Sequence, residues 1–251
     1  MNRYQRIIEL GWDTKKLRQA KVLVIGAGAL GNEVLKNLAL LGVGNIIVID
    51  MDIIVHHNLT RSILFRASDV GKHKATVAAT SVQDIDPTIH IQAFTGKVQD
   101  TFGLGLYSEA DIVFGCLDNI QARIDVNKYC YQTNTLYIDA GLRTIDGDVK
   151  VLGNGYKVCL DCTLTQALRD EAWRRHSCLK LRSRNDDEAV GRPTAPTIAS
   201  IMGGIQVQIA MKHLHGGIVP FNKRLSVLGH IDELNVTNLS YNTYCPTHNL
   251  Y

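Results

Sequence analysis

A chain of 251 residues is long enough to bury a core and suits one domain with at most a short appendage. Its hydrophobic content of 45% and charged content of 20% are globular values, and a net charge of +3 is too small to argue for nucleic acid or an acidic membrane surface. No apolar run approaches the roughly 20 residues of a membrane span. Met1-Asn-Arg-Tyr-Gln-Arg6 lacks the apolar stretch of a secretion signal, so the expected compartment is the cytoplasm. There the six cysteines are expected as thiols or metal ligands, not disulfides.

Residues 1–20 carry Ile7, Ile8, Leu10, Trp12 and Leu17 at loosely helical spacing, which predicts an amphipathic helix. Residues 22–25 are a short β-branched strand. Gly26-Ala-Gly28-Ala-Leu-Gly31 turns that strand into a helix running to about Leu41 and ended by Gly42 and Gly44. A second buried strand covers 46–50, a helix 71–84, a strand 89–93, and a further strand 112–115 opens onto Asp118. Residues 120–133 read as a helix with Ala122, Ile124, Val126 and Tyr129 inward, followed by a strand over 136–140. Strands alternating with helices predict an α/β, Rossmann-like doubly wound fold with a mostly parallel sheet covered on both faces. After Gly141 the pattern changes. Residues 148–152 and 156–159 look like short antiparallel strands, and 169–193, dense in charge and poor in periodicity, is expected to be a mobile surface loop. A long apolar helix with Gly203-Gly204 inside it is predicted for 194–214, and 216–251 returns to strands and turns.

The glycine series is the strongest chemical signal. In a nucleotide-binding βαβ unit, Gly26 permits the turn, Gly28 lets phosphate approach the backbone, and Gly31 lets helix meet strand. The helix N-terminus then offers free N–H groups and a positive dipole end to an anion. Asp50 lies 24 residues beyond Gly26 (50 − 26), where a carboxylate can accept both ribose hydroxyls. Up to this point a nicotinamide dinucleotide fits equally well. Arg61 and Lys74 then supply cations on the segment after the ribose-binding strand, with Asn58 adding a neutral donor. A dehydrogenase needs little positive charge there; a triphosphate does. Asp118, at the C-terminal end of another strand, is unfavourable beside phosphate unless a metal lies between them, which argues for a Mg²⁺ ligand.

Two further groups stand apart. Cys159-Leu-Asp-Cys162 and Cys245-Pro-Thr-His248 together offer three thiolates and one imidazole, a closed set suited to structural Zn²⁺. A lone Cys-x-x-Cys is also compatible with a redox dithiol; the second pair favours zinc. Cys178 sits beside Arg174, Arg175, His176, Lys180 and Arg182, surroundings that favour thiolate, and is the candidate nucleophile against the reading of a loop cysteine without a role. Cys116 and Cys130 fall in apolar contexts and are expected to be buried. The remaining histidines show no ligand spacing supported by nearby acids or thiols, and His56-His57 read as solvated turn residues. The basic cluster 174–184 has no interleaved aromatics beyond Trp173, so it does not point to nucleic acid.

Taken in order, the glycine turn 26–31, Asp50-Met-Asp52, Asn58-Leu-Thr-Arg61, Lys74, Leu117-Asp118-Asn119 and Thr194-Ala-Pro-Thr197 resemble the adenylation domain of the ubiquitin-activating superfamily, the ThiF/MoeB/HesA group. The likeness runs over residues 3–248 and is greatest to the catalytic subunits of SUMO- and Nedd-type activating enzymes. The resemblance implies a single adenylation domain over 1–251, with 169–193 as a crossover-type loop, and an eight-stranded mixed sheet with a zinc-tied C-terminal part. It also implies a homodimer, and ATP with Mg²⁺ attacked by the C-terminal carboxylate of a ubiquitin-like protein or peptide.

By that resemblance Asp50 holds the ribose; Asn58, Arg61 and Lys74 hold the phosphates; Asp118 organises Mg²⁺; Asp52 and Asn119 complete the nucleotide site. Arg3-Tyr4-Gln5-Arg6 is similar to the family's N-terminal Arg-Tyr-x-Arg-Gln, whose last Arg reaches the partner subunit's ATP, with Ile7 replacing the Gln. An ordinary solvated Arg6 is the alternative. Where the family usually closes its zinc site with four cysteines, this chain has His248. Cys178 follows Cys162 by 16 residues (178 − 162), close to the family's transthiolation cysteine, yet residues 179–193 are far too short for a catalytic-cysteine domain. A separate conjugating enzyme, sulfur carriage and peptide modification all stay open as the downstream step. A nicotinamide-dependent dehydrogenase and a non-catalytic partner subunit are the rival functions.

Overall fold

A computed structural model describes residues 3–97, 103–153, 158–170 and 193–248. Instead of one N-terminal helix there are two, α1 (Gln5–Glu9) and α2 (Thr14–Gln19). Gly11 breaks the run by entering the left-handed region at φ +80°, and the Asp13 carboxylate restarts it by accepting from Lys15 N–H at 2.8 Å. Strand β1 (Lys21–Ile25) leads through the glycine turn into α3 (Ala29–Leu41), which Gly42 ends at φ +75°. Strand β2 (Asn45–Ile49) follows. Helix α4 (Lys74–Ile85) starts later than its apolar pattern suggests, because Gly71 turns the chain at φ +91° and His73 is held in a bridge to Ile53. Then come β3 (His90–Phe94), α5 (Leu104–Ser108), β4 (Ile112–Gly115) and α6 (Ile120–Thr133).

Strands β5 (Leu136–Arg143) and β6 (Asp146–Leu152) form a hairpin longer than predicted. The strand expected over 156–159 is not found at 158 and 159, and 154–157 lie outside the described residues. A 3-10 turn, Leu160–Thr163, stands there instead and bends Cys159 and Cys162 toward one point. Helix α7 (Pro196–Leu214) begins after Thr194 and Ala195, which are engaged with Thr144 through a bridge and a 2.8 Å backbone hydrogen bond. Pro196 opens the helix, where a missing N–H costs nothing. Strands β7 (Lys223–Leu228) and β8 (Glu233–Asn238) complete the set.

The described strands form one eight-stranded sheet in the order β3-β2-β1-β4-β5-β6-β7-β8, parallel through β5 and antiparallel beyond it. One core lies between the sheet and α3, α4 and α7, with Val34, Leu35, Leu38, Ala78, Met202 and Ala210 fully buried. On the other face Tyr107, Val126 and Cys130 of α5 and α6 pack with Tyr137 and Leu160. Gly203 lets α7 lie close on α3: a Cβ there would come within 2.8 Å of Glu33 Cβ. Among the described residues no helix is long and apolar enough to cross a membrane.

The strand order reverses between β1 and β4. In open α/β sheets the crevice at such a reversal, beyond the strands' C-terminal ends, is where ligands bind.

Candidate active site and metal centre

The three glycines at that crevice differ in what surrounds them. Gly26 has φ +97°, and a Cβ there would collide with the Cys116 carbonyl. A Cβ on Gly31 would strike the Gly26 carbonyl, so only glycine lets α3 meet the turn. Among the described residues nothing lies within 4 Å of where a Gly28 Cβ would sit. The described residues do not require glycine at that position for their own packing, and the approach leads to the N-terminus of α3, whose N-cap residue Gly28 has no side chain to cap the first N–H groups.

Asp50, at the end of β2, closes one side. Its Oδ2 accepts from Ala27 N–H at 2.6 Å and its Oδ1 from Asp52 N–H at 2.8 Å, tying β2 to the glycine turn. Burial pushes this carboxyl above the usual carboxylate range, against the pull of Lys74 and the two backbone donors. Lys74, the first residue of α4, is drawn to the same place: its N–H meets the Asp52 carbonyl at 3.0 Å and its Nζ lies 2.7 Å from Asp52 Oδ2.

Asn58 and Arg61 come from the turn between them. Asn58 is buried and spends its Oδ1 on Val55 N–H at 3.0 Å, which shapes the 3-10 turn His56–Thr60. Arg61 follows, half-buried, and its guanidinium has no acidic partner among the described residues. Asn32 joins this segment to the glycine turn. Fully buried on α3, it donates to the carbonyls of Ala27 and Gly28 at 2.8 and 3.0 Å and accepts from Leu64 N–H at 2.8 Å. Sequence reasoning missed Asn32; the signal was an amide directly after Gly31 in an otherwise apolar helical turn.

Across the crevice Cys116 abuts the glycine turn through Gly26 and hydrogen-bonds to Ile25 O at 2.8 Å. Two residues on, Asp118 is exposed. Asn119 caps α6, its Oδ1 accepting from Gln121 N–H at 2.9 Å and Ala122 N–H at 3.2 Å. Beneath that cap lies a second group that sequence reasoning missed: Asp139 of β5, fully buried, bound by Arg123 and Tyr137 and approached by Lys150. Burial alone would push Asp139 up, but the Arg123 and Lys150 charges outweigh it and hold the carboxyl below its ordinary range.

The fold does not bring Arg6 to this site within one chain. Tyr4 packs against Gly42, at the far end of α3 from Gly28, and hydrogen-bonds to Asp86. Thirteen helical residues separate the two ends, about 20 Å. Arg6 itself is exposed and paired with Glu9 at 2.7 Å. Cys178 lies outside the described residues, as does most of the segment expected to be a loop. Of that segment 169 and 170 are described, as the end of a helical run over 166–170, with Arg169 anchored on Asp161 at 3.5 Å.

The cysteine pairs do converge. Cys159, Cys162, Cys245 and His248 present ligand atoms that all lie within 4.8 Å of one another. Cys159 Sγ is 3.9 Å from Cys162 Sγ and 3.5 Å from Cys245 Sγ, and His248 Nδ1 is 3.8 Å from Cys162. Four ligands tetrahedral about a Zn²⁺ at ~2.3 Å would stand about 3.8 Å apart, so the donors present fit the ion. The hydrogen bond from Cys159 draws Cys162 down to about 5, favouring one thiolate in the set. Supporting groups hold both halves: Thr247 donates to buried Asp161 at 2.6 Å, and His248 stacks on Tyr241 at 5.0 Å. Cys116 and Cys130 are buried as expected, and burial pushes both thiols up. His56 and His57 are exposed, whereas His230 does have an acid, Asp146 at 2.8 Å.

A family model described as "ThiF family" matches residues 3–247. SUMO-activating enzyme subunit 2 of Dictyostelium discoideum is 40% identical over 163 residues, which are 64% of this chain and 25% of that protein. The NEDD8-activating enzyme E1 catalytic subunit of Caenorhabditis elegans is 41% identical over 161 residues, 59% of this chain and 37% of that one. The chain therefore spans between a quarter and about two fifths of these relatives. Among solved structures, E. coli MccB with ATP superposes with a TM-score of 0.79 at 25% identity, over 98% of this chain and 73% of that one. MccB in complex with N-formylated MccA matches with the same TM-score of 0.79, at 25% identity over 98% and 74%.

Proposed function

The chain belongs to the ThiF family, and we propose that it is an ATP-dependent adenylyltransferase acting on the C-terminal carboxylate of a ubiquitin-like protein or peptide. The observation that carries this reading is the open approach at Gly28, over an uncapped helix N-terminus, with Asp50 bound to the Ala27 N–H beside it. In this reading the ATP phosphates lie over Gly28, Asp50 takes the ribose, and Asn58, Arg61 and Lys74 neutralise the phosphates, with Asp52 and Asn119 completing the pocket. Lys74 is held ready by Asp52, and among the described residues Arg61 has no acid paired with it. Asp118 would hold Mg²⁺, which when bound supplies charge neutralisation to the polyphosphate.

The donor carboxylate oxygen attacks the α-phosphorus, the bond to the bridging oxygen breaks, and pyrophosphate leaves from an acyl-adenylate. The chain's part is positioning and charge, with no proton transfer required of a side chain at this step. Arg6 of a second copy would add a cation on the leaving pyrophosphate. The cysteine and histidine set would hold zinc as a structural tie, without an open position for chemistry. Cys178 then takes the acyl group from AMP as a thioester for a conjugating partner. Peptide modification is the second reading, favoured by the match to MccB over 98% of this chain. A nicotinamide enzyme is not supported, because Arg61, Lys74 and Asp118 have no use in it.

ATP–pyrophosphate exchange in the presence of candidate small proteins and peptides tests this. Exchange should require a donor with a free C-terminal carboxylate, vanish in Asp118→Ala and survive in Cys178→Ala. Equal loss in both variants would show that Cys178 has been assigned to the wrong step. NAD binding without exchange would overturn the whole reading.

A further inference from the structure

Arg123 and Asp139 form a buried ion pair that packing alone does not require. Asp139 is fully buried and accepts from Arg123 through Nε at 2.8 Å and again through Nη2. Arg123 stands in the first turn of α6, its own N–H closing on the Asn119 carbonyl at 3.1 Å. The guanidinium fork therefore grips the turn that opens with Asp118 and Asn119. The β4–β5 register sets Asp139 opposite Gly115, three residues before Asp118 (118 − 115). Gly141, two residues along β5, leaves room for the fork, since a Cβ there would press to 3.3 Å from Arg123 Nη1.

Such a pair is a weak source of stability, because desolvation offsets the attraction and apolar side chains of similar volume hold a helix to a sheet as well. A bidentate pair adds angular constraint instead. Resting on the reading of Asp118 as the Mg²⁺ organiser, we propose that the Arg123–Asp139 pair is a positioning device. It sets how strongly the site binds ATP with Mg²⁺ by fixing where the first turn of α6 presents Asp118.

The test is calorimetric binding of ATP to the full chain, without any acyl donor, in Mg²⁺ and again in EDTA. Arg123→Lys keeps the charge and loses the fork. It should weaken binding in Mg²⁺ by about tenfold, as losses of groups that orient metal ligands do. Binding in EDTA and the thermal midpoint of the nucleotide-free chain should stay at parental values. Should Arg123→Lys fail to fold, Arg123→Leu combined with Asp139→Leu and Tyr137→Phe, the last removing the hydroxyl that Asp139 accepts from, replaces the pair by apolar volume and should show the same loss confined to Mg²⁺. Parental binding in Mg²⁺, or an equal loss in EDTA, overturns the proposal. Asp118→Ala separates the two layers: if it lowers Mg²⁺-dependent binding while the Arg123 variants do not, the positioning role alone falls. Parental Mg²⁺ dependence in Asp118→Ala removes the underlying reading and the proposal with it.

Discussion

Gly28 and Gly31 stand three residues apart in the same turn, yet different constraints hold them. A methyl group on Gly31 meets the Gly26 carbonyl, whereas one on Gly28 meets nothing within 4 Å among the described residues. Gly31→Ala should therefore destabilise the chain by about 1–3 kcal/mol, the usual cost of overpacking a filled site. Gly28→Ala should unfold at the parental temperature and lose ATP affinity. Thermal melts with and without ATP and Mg²⁺ check both, and a Gly28→Ala protein that binds ATP at parental strength would remove the phosphate from this turn. Asn32 belongs to the same argument. Its amide links the glycine turn to Leu64, so Asn32→Leu takes the side-chain donor from the Ala27 carbonyl and the acceptor from the Leu64 N–H, at ~1–3 kcal/mol each where water is excluded, while the Gly28 carbonyl keeps the backbone N–H of residue 32.

Between elements, the N-terminal helices are fastened by a polar cluster. Tyr4 and Arg18 both reach Asp86, the residue after α4. Burial pushes Asp86 up, but hydrogen bonds from Thr88 and Tyr4 with the charge of Arg18 outweigh it, bringing it from 3.8 to about 2. Folding thus favours the ionised form. Its contribution is complete above a pH of about 3.8 and is lost as the pH falls toward 2. Asp86→Asn should lower the thermal midpoint at pH 7 and flatten the acid limb of stability between those values. An unchanged acid limb would show that the cluster does not fasten α1. The C-terminal tail is fastened differently. If Cys159, Cys162, Cys245 and His248 hold zinc, a strong chelator should release one equivalent of metal and lower the thermal midpoint, since a structural ion's binding energy is folding energy. Metal analysis finding no zinc in the purified chain would return the cluster to unligated thiols.

The eight-stranded order explains why three stretches far apart in the chain lie at one edge of the sheet. Strands β1, β2 and β4 all end at one edge, so the glycine turn, Asp50 and Asp118 share a crevice, while Tyr4 and Arg6 are left at the opposite edge. Arg6 can serve the proposed chemistry only from another copy. Equal mixing of Arg6→Ala and Asp118→Ala chains, each inactive alone, should restore about a quarter of the parental exchange activity: half the dimers are mixed, and each holds one intact site of two. No recovery after mixing, with dimers present by ultracentrifugation, would make Arg6 an ordinary surface residue.

Alternation of β-branched runs with helical patterns, the glycine spacing and the two cysteine pairs were readable from the chain because each is a local pattern. They carried the α/β class, the parallel half of the sheet, α3 and its glycine stop, and the Cys159, Cys162, Cys245 and His248 set that could hold a metal ion. The broken N-terminal helix was readable too, from Gly11 and Asp13, but apolar spacing obscured it. Other features depend on contacts between residues far apart in the chain. Asn32 to Leu64, Arg123 to Asp139, Asp146 to His230 and Thr144 to Thr194 became visible only once the sheet had closed. A polar side chain shows its type in the sequence, but its partner is chosen by the register of strands and the approach of helices. That is why the candidate ligands could be named beforehand, while the groups that hold them in place could not.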